Sequence, residues 1–217
     1  EIELGFRAKS PFVEIKLTAR SPSGEMLLPT WTHNIEQLLG AHILAEITDT
    51  ERSMPEHILN LLSQEKALLT TAESCTGGLI SSLITSVANA SSNFEAGFVT
   101  YSNSIKSELL GVSPHTLEKF GAVSQAVVEE MAKGALKKAN ANVVIAVTGI
   151  AGPSGGSIEK PVGSVWIAWG SSTQLHSHYF CIKGNRQQFQ QSVAYRSLDL
   201  IRRHLLNITD QPWYMKK

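Results

Sequence analysis

Cysteine is almost missing from this chain: Cys75 and Cys181 are the two among 217 residues. That excludes a disulfide-stapled scaffold and a cysteine-rich zinc site. Both read as small buried residues, although Cys75 stands at an expected helix start, where a thiol pKa can fall. Net charge is missing too, because nineteen basic residues cancel nineteen acidic ones. No global field therefore draws in nucleic acid or an anionic membrane, while a local anion site needs only a few groups. No apolar run reaches membrane-spanning length and no signal peptide opens the chain. Repeats and low-complexity segments are absent. The chain opens on Glu1 rather than Met, directly in strand-like sequence, and reads as part of a longer protein. Together these features predict a cytoplasmic globular protein.

The 42% of apolar residues is enough for a packed core. Residues 1–20 look β-like, with period-two alternation at Val13, Ile15 and Leu17. Ser21-Pro22-Ser23-Gly24 has the composition of a turn. A short helix is expected around Asn34–Leu39, ending at Gly40, and Ala41–Glu46 as a returning strand. Around residue 50 the pattern changes. A helix from Pro55 to Leu69 precedes a strand at Leu68–Ala72 and a helix at Thr76–Val87. A strand at Phe98–Tyr101, a short helix at Asn103–Leu110 and a clear helix at Ser124–Asn140 follow. Val143–Val147 is a continuous apolar strand, as in a sheet covered on both faces. Val165–Trp169 and Ser177–Ile182 are close enough to form a hairpin, and Gln187–Leu206 closes the chain as a long helix. Strands that alternate with helices and then pair through a hairpin predict an α/β fold. Its architecture is a three-layer α/β/α sandwich with a mixed sheet, preceded by a small α+β fragment.

Sites in such sheets lie beyond the carboxyl ends of the parallel strands, which singles out three segments. Ser74 ends a β-leaning run, with Cys75, Thr76, Gly77 and Gly78 after it. A hydroxyl there can N-cap the helix. It can also act as a nucleophile, with an oxyanion or phosphate on the neighbouring amides. Tyr101 and Lys106 put a phenol and an amine near a second strand end. Buried, the lysine becomes a base and the tyrosine a proton relay; exposed, they are a surface lysine and a packed ring. In the third segment, Thr148, Gly149, Gly152, Gly155 and Gly156 belong to a glycine-rich loop. It serves equally as an anion cradle or a flexible turn. Arg186, after Gly184-Asn185, can pin a phosphate at a helix start or face solvent. His176 and His178 alternate on a strand with no partner spaced to complete a metal site.

Spacing excludes several motifs. Tyr101 and Lys106 are five apart, not the four of a short-chain dehydrogenase. Ser74 lacks the flanking glycines of a hydrolase elbow, and no Ser-x-x-Lys pattern involves Ser74 or Lys106. The glycine loop ends without the Gly-Lys-Ser/Thr of a Walker A loop.

Four motifs occur together and in order: Thr71–Gly78, Thr100–Asn103, Val147–Gly156 and Gly184–Arg186. This set resembles the C-terminal domain of the CinA (competence/damage-inducible) family, over roughly residues 52–206. Active members are nicotinamide mononucleotide deamidases. The resemblance implies that residues 51–217 form the deamidase domain. It implies that 1–50 is a remnant of the small connecting, KH-like domain, in a parent protein with an N-terminal molybdopterin-binding-like domain. Ser74 would be the nucleophile, Tyr101 and Lys106 its activating pair, and Arg186 the phosphate ligand. Cys75, Thr76 and Gly77 would supply oxyanion amides. Many relatives have Glu-Ala-Lys where this chain has Ser104-Ile105-Lys106.

The implied reaction converts nicotinamide mononucleotide to nicotinate mononucleotide and ammonia in pyridine nucleotide recycling, with Lys106 taking the Ser74 proton through Tyr101. No cofactor or metal is implied. The expected partner is a small-molecule substrate, a pyridine mononucleotide, not nucleic acid or a membrane, and a homo-oligomer is expected, a dimer favoured. The alternative is a non-catalytic nucleotide-binding or regulatory module linked to competence or DNA damage. RNA binding through residues 1–50 has little support, since Ser21-Pro22-Ser23-Gly24 is not a Gly-x-x-Gly loop.

Overall fold

The computed structural model describes residues 2–9, 12–44 and 53–215. The chain divides into two compact units, residues 51–209 and residues 1–50 with 210–217.

In the smaller unit, β1 (Ile2–Lys9) and β2 (Phe12–Ala19) pair antiparallel. The register sets Leu4 opposite Leu17, Phe6 opposite Ile15 and Ala8 opposite Val13, which puts the apolar side chains of both strands on one face. Helix α1 (Pro22–Leu39) is longer than its sequence pattern suggests. The expected turn at Ser21–Gly24 is instead its start. Ser21 accepts from the Gly24 amide and Pro22 occupies the first turn, where a missing N–H costs nothing. The expected strand at 41–46 is not formed over its described part. Gly40–His42 is a 3-10 turn, and residues 45 and 46 lie outside the described residues.

The larger unit is an α/β sandwich. Its strands are β3 (Leu69–Glu73), β4 (Phe94–Val99), β5 (Val143–Gly149), β6 (Ser164–Ser171) and β7 (Leu175–Cys181), in the order β4-β3-β5-β6-β7. β3 runs parallel to β4 and β5, and the β6–β7 hairpin adds antiparallel to β5. The helices are α2 (Met54–Gln64), α3 (Leu79–Thr85), α4 (Asn103–Leu110), α5 (Pro114–Phe120), α6 (Gln125–Ala139) and α7 (Arg186–Leu205). α6, flanked by α4 and α5, covers one face, and α7 with α2 and α3 covers the other.

Alternation along the central strands feeds both layers. Val144 and Ala146 of β5 join Ala72 and Ala168 against Val127, Val128, Met131, Ala132 and Ala135 of α6. Ile145 and Val147, pointing the other way, are equally buried. α4 reaches α6 only because position 134 is glycine: a Cβ there would lie 1.9 Å from the Leu110 carbonyl oxygen.

The chain leaves β3 for β4 on one side and crosses back to β5 on the other. The segments after β3 and β4 therefore diverge to opposite faces and open a crevice at the carboxyl end of β3. Ser74 is the first residue beyond that end.

Candidate active site

β3 carries Ser74 to the rim and holds it there, since the Ser74 amide donates to the Val147 carbonyl of β5 at 3.1 Å. Lys106 arrives from α4. Ser102 N-caps that helix by accepting from the Ile105 amide, which sets its first turn against the end of β4. The lysine side chain points inward and is only 1% exposed. Its Nζ lies 3.1 Å from Ser74 Oγ, 2.9 Å from the Thr100 carbonyl and 3.3 Å from the Tyr101 carbonyl. Among the described residues no carboxylate forms an ion pair with it. Burial without a counter-ion pushes its pKa below the ordinary 10.5.

The expected proton relay through Tyr101 does not form. Tyr101 meets Lys106 through its backbone carbonyl, while its ring is 64% exposed. Its phenol oxygen accepts from Arg186 Nη2 at 3.1 Å. Arg186 stands in the first turn of α7, which Asn185 and Gln188 cap reciprocally, and its Nη1 donates to the Gly152 carbonyl at 2.9 Å.

Ser74, Cys75, Tyr101, Asn103, Lys106, Ala122, Val123, Thr148, Gly149, Ala151 and Arg186 line one cavity of about 180 Å³. All three sequence-marked segments and Arg186 thus meet at one rim. Asn103, Ala122, Val123 and Ala151 join them without having been singled out as site residues.

Residues 51–205 match the family described as the CinA C-terminal domain. The chain belongs to the CinA family. A CinA-like protein of Colwellia psychrerythraea is 48% identical over 214 residues, which is 99% of this chain and 50% of that protein. A CinA-like protein of Shewanella sediminis is 40% identical, covering 94% of this chain and 48% of the relative. The chain thus spans about half the length of these curated relatives. A crystal structure of a competence/damage-inducible protein from Agrobacterium tumefaciens superposes with a TM-score of 0.65 at 37% identity, covering 71% of this chain and 98% of the other. A CinA superfamily protein from Klebsiella pneumoniae gives a TM-score of 0.68 at 31% identity, covering 72% and 99%.

Several motif residues of this CinA domain have partners inside the protein. The Thr148 hydroxyl donates to the Ala122 carbonyl at 2.8 Å, fastening the α5–α6 loop to β5. Thr76, Gly77, Gly152, Gly155 and Gly156 are outside the cavity lining. The loop glycines make room for the chain itself: a Cβ on Gly149 would meet the Ser164 carbonyl at 2.8 Å, on Gly152 a Val162 methyl at 2.5 Å, and on Gly156 the Val162 amide at 2.7 Å.

The expected anion donors are the Cys75–Gly77 amides; the amides that follow them, into the start of α3, are taken by Glu73. This carboxylate is fully buried and accepts from the amides of Gly78 and Ile80 and the Thr76 hydroxyl on one oxygen. Its other oxygen accepts from the Ser81 amide and hydroxyl. The Gly77 amide is also committed, to the Ser74 carbonyl at 3.2 Å. Among the described residues, the amides of Cys75 and Thr76 donate to no other residue. A sequence signal for Glu73 existed: an acid closing an apolar strand just before a helix start complements the helix dipole.

Cys75 is buried, as expected, and burial pushes its thiol up to about 12, with nearby Glu73 adding to the rise. It is no thiolate nucleophile at neutral pH. Cys181 corrects the expectation that both cysteines are buried, because it ends the edge strand β7 and is exposed. His176 is exposed on that same edge strand. Among the described residues no three of His, Cys, Asp and Glu gather as metal ligands, and no helix is long and apolar enough to cross a membrane.

Proposed function

We propose that the chain is an amidohydrolase that converts nicotinamide mononucleotide and water to nicotinate mononucleotide and ammonia, with Ser74 as nucleophile and Lys106 as its direct base. The observation that carries this reading is the 3.1 Å approach of a buried lysine with no carboxylate partner to a serine hydroxyl at the cavity rim.

A neutral amine has two N–H donors and one lone pair. The carbonyls of Thr100 and Tyr101 suit the two donors, which turns the lone pair toward the Ser74 proton. Ser74 Oγ attacks the carboxamide carbon as its proton passes to Lys106. The oxyanion rests on the amide of Cys75, which lines the cavity, and on that of Thr76, the next peptide of the same turn, each donor contributing about 3 kcal/mol in comparable sites. As the C–N bond breaks, Lys106 returns the proton to the leaving nitrogen, and ammonia departs. Water then attacks the acyl-enzyme, losing its proton to Lys106, and Ser74 regains a proton as the carboxylate is released.

The cavity of about 180 Å³ is smaller than the roughly 300–1,000 Å³ of sites that enclose a whole drug-sized ligand. It suits one ring with its amide group, leaving ribose and phosphate along the rim. Arg186 lies on that rim with guanidinium N–H groups beyond the two already engaged, and a phosphate is its natural partner. Residues 1–50 are then the connecting unit of a longer protein.

Ammonia release from nicotinamide mononucleotide tests the reading. Wild-type protein should release ammonia, and Ser74→Ala should not. Equal release by both sinks the nucleophile, and nucleotide binding without ammonia from wild type favours a binding module.

A further inference from the structure

If Cys75 and Thr76 are to hold an oxyanion, something must fix the direction of their amides. Each amide shares a planar trans peptide with the preceding carbonyl, so N–H and C=O point opposite ways. The Ser74 carbonyl accepts from the Gly77 amide at 3.2 Å, which orients the Cys75 N–H. The Cys75 carbonyl accepts from Gln190 Nε2 of α7 at 2.9 Å, which orients the Thr76 N–H. From the other side, Glu73 takes the Thr76 hydroxyl at 2.7 Å and the Gly78 amide at 3.1 Å.

Glu73 is in turn held by Ser81, whose hydroxyl lies 2.7 Å from the carboxylate and 2.7 Å from Thr71 Oγ1. The Ser81 proton goes to the carboxylate, so Thr71 donates to Ser81. This buried chain anchors the turn to β3. Because Glu73 also occupies the first amides of α3, an anion arriving at this turn finds only the Cys75 and Thr76 donors.

We propose that Glu73 and Gln190 are positioning residues of the oxyanion site, Glu73 bracing the 74–78 turn from the sheet and Gln190 fixing the 75–76 peptide plane from α7. The proposal rests on the amidohydrolase reading.

The test combines Glu73→Gln and Gln190→Leu with two readouts. One is steady-state ammonia release, split into kcat and KM. The other is affinity for pyridine-3-boronic acid, which forms a tetrahedral adduct on a serine hydroxyl. In Glu73→Gln an amide NH2 replaces an oxygen that serves two or three donors. In Gln190→Leu the half-buried side chain keeps its bulk and loses its bond. Each variant should lose roughly 10- to 100-fold in kcat, less than the roughly 100- to 1,000-fold of a deleted oxyanion donor, because the amides are misdirected and not removed. KM should stay near wild type, and boronate affinity should fall in proportion to kcat. Wild-type kcat in a folded variant overturns the proposal for that residue, as does a lower kcat with unchanged boronate affinity. Should Glu73→Gln not fold, Gln190→Leu and Thr76→Val, which removes only the hydroxyl tether to Glu73, decide it by the same criteria. A wild-type protein that captures the boronate but releases no ammonia sinks the deamidase reading instead, and the boronate comparison still judges the positioning claim.

Discussion

Arg186 and Tyr101, 85 residues apart in sequence, meet at 3.1 Å, with the guanidinium donating to the phenol oxygen. In the proposed mechanism this contact makes the tyrosine a support for a phosphate-binding arginine, not a proton relay. Tyr101→Phe should therefore raise KM for nicotinamide mononucleotide by about 3- to 10-fold, the effect of one lost hydrogen bond, with kcat nearly unchanged. A relay role would instead lower kcat by about 100-fold or more. Steady-state kinetics on this one variant separates the two.

Lys106 gives a pH signature. Its pKa in the folded protein is depressed below 10.5 by burial, so kcat/KM should rise with pH through that lowered value as the free base forms. Stability should follow the same direction. Between the folded pKa and 10.5 the unfolded chain holds the proton that the folded chain has lost, so the unfolding free energy climbs with pH across that window. Below the window both states are protonated and the burial penalty is constant. Lys106→Met should abolish activity and flatten this climb. Denaturant titrations at a series of pH values measure it, and an unchanged slope in the variant would count against a depressed lysine.

The Thr100 side chain offers a stability test. Its hydroxyl is buried with no hydrogen-bond partner among the described residues, beside a carbonyl that holds Lys106. Thr100→Val removes a desolvated polar atom and keeps shape and β preference. It should stabilise the protein by about 1 kcal/mol without changing kcat, as read by urea unfolding and the ammonia assay.

The residue types of the site were legible in the sequence, and their contacts were less so. Ser74, Lys106 and Arg186 stand at strand ends and helix starts, which local patterns locate well. Which groups touch is set by side-chain direction. A Tyr–Lys spacing of five says nothing of a ring turned to solvent while its carbonyl faces inward. Glu73 lies just past the expected strand Leu68–Ala72, where an acid before a helix start suits the helix dipole, but only the fold shows its carboxylate turned inward onto the amides of Ile80 and Ser81. Glycine spacing in 149–156 announced a close approach but not its partner, which is the chain's own Val162 and Ser164. In α1 the composition of Ser21–Gly24 suits a turn and a helix start alike, and only the eighteen-residue continuation decides.

Gly97 on β4 is tied to the Glu73 network through space. A Cβ there would lie 2.3 Å from Ser81 Oγ and 3.1 Å from Thr71 Oγ1. Gly97→Ala should push Ser81 away from the carboxylate and lower both stability, by about 1–3 kcal/mol, and kcat. Combining it with Ser81→Ala should restore part of the stability, because the 2.3 Å clash with Oγ is gone while the tighter-than-usual contacts at 3.0 Å to the residue 81 Cβ and 3.1 Å to Thr71 Oγ1 remain, and none of the lost kcat. Full recovery of kcat in the double variant would show that the Ser81 bond does not matter to the turn.

The two cysteines should differ sharply toward alkylation. Cys75 is buried, with a thiol held near 12, so almost none of it is thiolate at pH 8. Cys181 is exposed at the end of an edge strand. Iodoacetamide on the folded protein should therefore add one label, located at Cys181 by peptide mass, and leave ammonia release intact. Unfolding in urea should expose the second thiol and give two labels. The comparison also isolates the nucleophile: label at Cys75 in the native state, with parallel loss of activity, would mean that the thiol is reachable from the cavity, and the assignment of nucleophilic chemistry to Ser74 alone would fail.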